Sequence, residues 1–168
     1  MGLKTGKITP CLWFDTQAED AAKFYVSIFD NSRIGRISRY GKEGFAVHGK
    51  KEGSVMAVEF ALEGQSFVAL NGGPQFTFDE AISFQIHCGS QKEIDYFWSK
   101  LTAGGGSEGP CGWLKDRFGL SWQVVPDALI DMLLDKDAAK VGRVTAAFLQ
   151  MKKFDIAALT RAYEGRAA

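Results

Sequence analysis

A chain of 168 residues with 20 basic and 20 acidic side chains has no charge excess with which to hold nucleic acid or an anionic membrane surface. No apolar run is long enough to span a bilayer, so no membrane partner is expected. The length suits one domain with a real core, or two small modules fused through a shared sheet.

Three cysteines, Cys11, Cys88 and Cys111, are odd in number and lack CxxC spacing, which fits a reduced cytoplasmic setting and speaks against a zinc cage. The opening MGLKTGKITPCLWF has no apolar stretch before a small-residue cleavage site, so no secretory leader is expected.

Ile8 to Phe14 reads as the first strand. Thr9, Cys11 and Trp13 share one face, Leu12 and Phe14 the other, and Pro10 argues for an early or edge position. Asp15 or Thr16 is placed to cap a helix whose buried stripe is Ala18, Ala21, Ala22, Tyr25, Ile28 and Phe29. Arg33 to Tyr40 is a plausible strand, and Gly41 to Gly53 a charged, glycine-bearing loop in which His48 is expected to be solvated. Ser54 to Leu62 and Gln65 to Leu70 make a hairpin, and Asn71-Gly72-Gly73-Pro74 closes the half.

The second half starts over. Ile82 to Cys88 is a strand, Ser90 a cap, and Ile94, Phe97, Trp98 and Leu101 a helix stripe stopped by Gly104 to Gly106. Cys111 to Pro126, CGWLKDRFGLSWQVVP, reads as a tight hairpin with Gly119 in its turn. Its outgoing strand places Leu120, Trp122 and Val124 on one face, and Ser121, Gln123 and Val125 on the other.

The two halves match. ITPCLWFDTQAE from Ile8 parallels ISFQIHCGSQKE from Ile82, and Gly64 to Val68 parallels Gly119 to Gln123. A duplicated β-α-β-β-β unit follows, with a first module over 6–74, a second over 80–126, and a helical tail over 127–168 in a single domain. In the tail, Asp137 and Asp155 are placed as caps of the second and third helices. A tail this apolar needs a surface to cover, its own or a partner's.

Two β-α-β-β-β modules forming a curved mixed sheet with a cleft resemble the vicinal oxygen chelate superfamily of glyoxalase I, extradiol dioxygenases and bleomycin-resistance proteins. Asn71-Gly72-Gly73-Pro74, Phe97-Trp98 and the run Cys111-Gly112-Trp113, Asp116, Phe118-Gly119, Trp122-Gln123, Pro126 are similar to the PhnB-like group. Members of that group often carry the name 3-demethylubiquinone-9 3-methyltransferase. The resemblance extends over nearly the whole chain, tail included, and implies an α+β glyoxalase-like fold and a homodimer.

Metal enzymes of that superfamily place one ligand on the first and one on the last strand of each module. The resemblance transfers those positions to Thr9 and Val68, and to Ser83 and Gln123. Hydroxyls, an aliphatic and a neutral amide make a poor donor set, so no metal and no cofactor is expected. His87 could ligate with Glu59 or His48, but a hydrogen-bonded cleft histidine is the better reading. The methyltransferase name asks for a glycine-rich turn after a parallel strand. Gly104 to Gly106 follows a helix instead.

Cys11 and Cys88 have no cation or helix start placed to activate them as nucleophiles. Asp116 and Arg117 could pair across their turn, contributing little. Trp13 could stack on a flat ligand.

The expectation is a metal-independent protein that binds a small organic ligand, with no assigned catalytic residue and a wall of Thr9, Cys11, Trp13, Ser83, Gln85, His87 and Gln123. The alternatives are a metal-dependent lyase, isomerase or dioxygenase, and a methyltransferase.

Overall fold

The computed structural model describes Leu3 and residues 6–166, and the chain divides into two compact units, Met1–Phe78 and Asp79–Ala168. The first runs β1 (Cys11–Phe14), α1 (Ala18–Val26), β2 (Arg33–Arg39), α2 (Phe45–His48), β3 (Val55–Leu62) and β4 (Gln65–Asn71). The second runs β5 (Ser83–Cys88), α3 (Gln91–Thr102), β6 (Ser107–Glu108), β7 (Trp113–Lys115) and β8 (Ser121–Pro126). Helices α4 (Asp127–Leu133), α5 (Ala138–Phe148) and α6 (Ile156–Glu164) follow. The fold is α+β, with the duplicated β-α-β-β-β order legible in the sequence.

Each unit builds a four-stranded mixed sheet, ordered β1-β4-β3-β2 in one and β5-β8-β7-β6 in the other. The repeat reaches down to register. In the parallel pair of the first unit Cys11 faces Val68 and Phe14 faces Asn71. In the second unit Gln85 faces Gln123 and Cys88 faces Pro126; the sequence matches align Cys11 with Gln85, Phe14 with Cys88 and Val68 with Gln123. Alternation sorts the faces. Leu12, Phe14, Val58, Phe60, Phe67 and Ala69 are buried with the α1 stripe, and Ile86, Leu114, Trp122 and Val124 with Ile94, Trp98 and Leu101 of α3.

Several local expectations change. Strand β1 begins at Cys11, because Pro10 has no N–H for the ladder; Ile8 is 89% exposed and Thr9 precedes the strand. Neither Asp15 nor Thr16 caps α1. Asn71, at the end of β4, accepts from the Ala18 N–H at 2.8 Å instead, and its own amide donates to the Val55 carbonyl. Ser90 does cap α3, and Glu93 reaches back to the Gly89 N–H at 2.7 Å, a reciprocal capping pair. His48 is half-buried, not solvated: Nδ1 accepts from the Lys50 N–H and the ring lies 4.6 Å from that of Tyr40.

The tail finds its cover within its own unit. The Cys111 and Gly112 N–H groups donate to the Met151 and Lys152 carbonyls, both at 2.7 Å. Gln91 clasps the far side, donating to the Phe154 carbonyl and accepting from the Ile156 N–H. Asp137 and Asp155 cap α5 and α6 as expected. Among the described residues no helix is long and apolar enough to cross a membrane.

Candidate functional site

The face of each sheet turned away from its helix is where the chemistry of this chain lies. In the second unit Ser83 and Gln85 are two apart on β5, hence on one face, and register places Gln123 of β8 beside Gln85. The side chains meet. Gln85 Nε2 donates to Gln123 Oε1 at 3.3 Å, and Gln123 Nε2 donates to Ser83 Oγ at 2.8 Å. Three of the expected wall residues therefore form one chain of neutral hydrogen bonds. Trp113 of β7 is opposite Gln123 and extends the row. His87, two further along β5, turns to the end of the sheet, with Nδ1 3.4 Å from Asp127 Oδ1 at the start of α4.

In the first unit the matching row is Cys11, Val68 and Glu59. Glu59 is not a stray carboxylate. Arg36 Nε and Nη2 hold both its oxygens at 2.6–3.1 Å, and that guanidinium keeps the carboxyl below its ordinary range. A hydrogen-bonded, charge-paired carboxylate is a weak general base. An open hollow of about 350 Å³ lies here, lined by Arg36, Ile37, Ser38, Ala57, Glu59 and Val68.

Trp13 shares the Cys11 face, but its indole N–H donates to the Gly73 carbonyl at 2.8 Å and its ring meets Phe76 edge-on. Its polar edge is committed to the linker after β4. Thr9, ahead of the strand, donates weakly to the Gly6 carbonyl at 3.4 Å. The Thr9, Cys11, Trp13 group and the Ser83, Gln85, His87, Gln123 group belong to different units, and the polar contacts described for each stay within its own unit.

The thiols are not activated. Burial raises Cys11 above its ordinary value and pushes Cys88 up to about 12, so both stay protonated at neutral pH and are poor nucleophiles. The positions that the resemblance transfers from metal enzymes do not fit an ion either. Val68 has no donor atom, and the Gln123 amide is spent on Ser83 and Gln85. Among the described residues neither unit gathers three His, Cys, Asp or Glu side chains around a point.

Sequence reasoning missed Arg36, which only the β2–β3 pairing carries to Glu59, and underrated Asp116. Asp116 is 2% exposed and its carboxylate accepts from the Phe118 and Leu120 N–H groups and from Trp122 Nε1 at 2.8–3.1 Å. It is the internal brace of the hairpin turn.

Residues 6–125 match the family model described as 3-demethylubiquinone-9 3-methyltransferase. The chain belongs to that family. The PhnB protein of Bacillus cereus, which carries the same 3-demethylubiquinone-9 3-methyltransferase description, is 37% identical, with 72% of this chain and 99% of that one covered and a TM-score of 0.62. A protein from Staphylococcus aureus is 27% identical over 72% of this chain and 96% of its own, with a TM-score of 0.33. Protein PA1353 from Pseudomonas aeruginosa, 18% identical over 73% of this chain and 98% of its own at a TM-score of 0.56, shares the fold. No curated protein matches the chain. The family model ends at residue 125, and the helical tail follows the matched residues.

Proposed function

We propose that the chain is a metal-independent small-molecule-binding protein of the glyoxalase and bleomycin-resistance type. One observation carries this reading: Ser83 and Gln123, two of the positions that the resemblance transfers from metal enzymes, are tied into a hydrogen-bond chain with Gln85. Amides and hydroxyls satisfying one another suit the polar atoms of an organic ligand, which can exchange hydrogen bonds one for one. They suit a divalent cation poorly, because a neutral amide and a serine hydroxyl bring no charge to replace its water shell.

The methyltransferase of the family description finds no support in the chain's own chemistry. Gly104 and Gly105 have φ of +71° and +113° and end a helix, a role with no phosphate or nucleoside to cradle. The same proposal has the chain act as a homodimer in a reducing compartment. Leu133, Leu134 and Leu149 of the tail are exposed and the cysteines are free.

Elemental analysis of purified protein, followed by thermal shifts with and without added Zn²⁺, Mn²⁺ and Fe²⁺, tests the reading. Substoichiometric metal and an unmoved melting temperature are expected. One bound ion per chain, with a clear upward shift on adding it back after chelation, would overturn it. Sedimentation gives the oligomeric state.

A further inference from the structure

On the same face of the second sheet, one row before the amides, register lines up Ser83, Ser121, Lys115 and Ser107 across β5, β8, β7 and β6. Ser121 is fully buried, yet among the described residues its Oγ has no hydrogen-bond partner. A buried hydroxyl left unmatched costs about 1–3 kcal/mol, so alanine would serve the fold better at that position. Ser121 is among the residues that line an open hollow of about 260 Å³, together with Lys115, Ser107, Trp113 and Glu80.

A carboxylate already sits there. Glu80 Oε1 is 2.5 Å from Lys115 Nζ, and Glu80 lies on the turn ahead of β5 with its side chain 62% exposed. An ion pair this exposed contributes little to the fold and exchanges easily. The other lining carboxylate, Glu108, is turned to α3, where Trp98 Nε1 donates to it at 2.8 Å.

We propose that this hollow binds the carboxylate of a small organic acid, with Glu80 holding that carboxylate's place on Lys115 until the ligand enters. The incoming group displaces Glu80, takes a charge-assisted hydrogen bond from Lys115, and accepts the hydrogen of Ser121 Oγ. The indole of Trp113 is the wall for a flat apolar body. A hollow below the ~300 Å³ of drug-sized sites suits a ligand of few atoms. The assignment rests on the metal-independent binding reading above and gives it a ligand class.

Benzoate is the probe and benzamide its neutral counterpart, both titrated in EDTA against the full chain by calorimetry and thermal shift. Benzoate is expected to bind and to raise the melting temperature, and benzamide is not. S121A should melt at or above the parent without ligand, which reports an intact fold, and should lose benzoate affinity by about tenfold, the loss of one hydrogen bond to a charged group. K115M should lose at least as much, and E80Q, lacking the competing charge, should bind more tightly.

Equal binding of benzamide and benzoate overturns the carboxylate assignment while leaving the metal-free reading standing. So does an S121A chain that binds like the parent, or no binding at about 10 mM either in EDTA or with Mn²⁺ restored, where a site of millimolar affinity fills. Benzoate binding that appears only after Mn²⁺ is restored overturns the metal-free reading; its loss in S121A would still uphold the carboxylate site.

Discussion

The two sheets share a frame and differ in what they hang on it. At the matched row the first unit holds Cys11, Val68 and an Arg36–Glu59 ion pair, and the second holds Gln85, Gln123 and Trp113. The helix-facing sides of both rows stay apolar. Duplication thus fixes backbone register, which main-chain hydrogen bonds and the packed face impose together, and leaves the other face open to divergent chemistry. The second unit has the neutral, hydrogen-bonding surface, and there the binding proposal is made.

The hairpin turns give the sharpest contrast. Between β3 and β4 the chain reverses through Glu63 and Gly64, both at positive φ (47° and 79°), a geometry the backbone supplies alone. Between β7 and β8 the longer turn is braced by the buried Asp116. D116A takes the carboxylate acceptor from three donors, one of them the buried Trp122 indole, and should cost roughly 3 kcal/mol. E63G relieves a left-handed non-glycine residue and should shift stability by less than about 1 kcal/mol. Urea unfolding of the two variants reads both values, and equal effects would refute the distinction.

A glycine in each unit marks a close approach. A Cβ on Gly72 would lie 2.1 Å from the Trp13 ring, and one on Gly112 would lie 2.4 Å from the Phe154 ring at a φ of +80°. Overpacking costs about 1–3 kcal/mol, and left-handed alanine adds roughly 1–2 more, so G112A should exceed G72A. The failures should differ in kind. G112A lifts the tail, so limited proteolysis should release α5 and α6 from G112A and not from G72A.

Much of the frame was legible because it rests on local signals: apolar alternation, Ser90, Asp137 and Asp155 as caps, and a repeat written twice. What escaped depends on partners far along the chain. Asn71 caps α1 from 53 residues away, and sequence offers no sign of it beyond an asparagine where β4 ends. Arg36 finds Glu59 only through β2–β3 pairing. Of the site, Ser83, Gln85 and Gln123 were read from face parity and do meet. Thr9 was read onto a strand that Pro10 delays, and the Trp13 N–H finds its acceptor 60 residues along, at Gly73. Ser121 was placed on the right face; its missing partner is a property only of packing.

Exchanging the row residues tests the amides directly. Q123V removes the acceptor for Gln85 and the donor to Ser83, both partly exposed to water, and should cost about 1 kcal/mol. V68Q adds a polar group to an open hollow and should cost less. Should V68Q prove the more damaging, the first unit's face is packed more tightly than its hollow implies.

The smallest effect expected separates the units by pH. Arg36 depresses the Glu59 carboxyl, and no carboxylate stands at Trp113 in the matching position. For a group whose folded pKa lies below its unfolded one, the stabilisation is complete above the unfolded pKa and is lost as pH falls through the folded value. The parent should therefore exceed R36A by a small constant margin above about pH 6, and the margin should close only as acidification carries the pH down through the depressed Glu59 value. Salt should shrink it, because Arg36 is mostly exposed. Urea midpoints of parent, R36A, E59A and the double variant across that range give the coupling. A coupling that persists in strong acid would mean that Arg36 acts through packing over the sheet and not through charge.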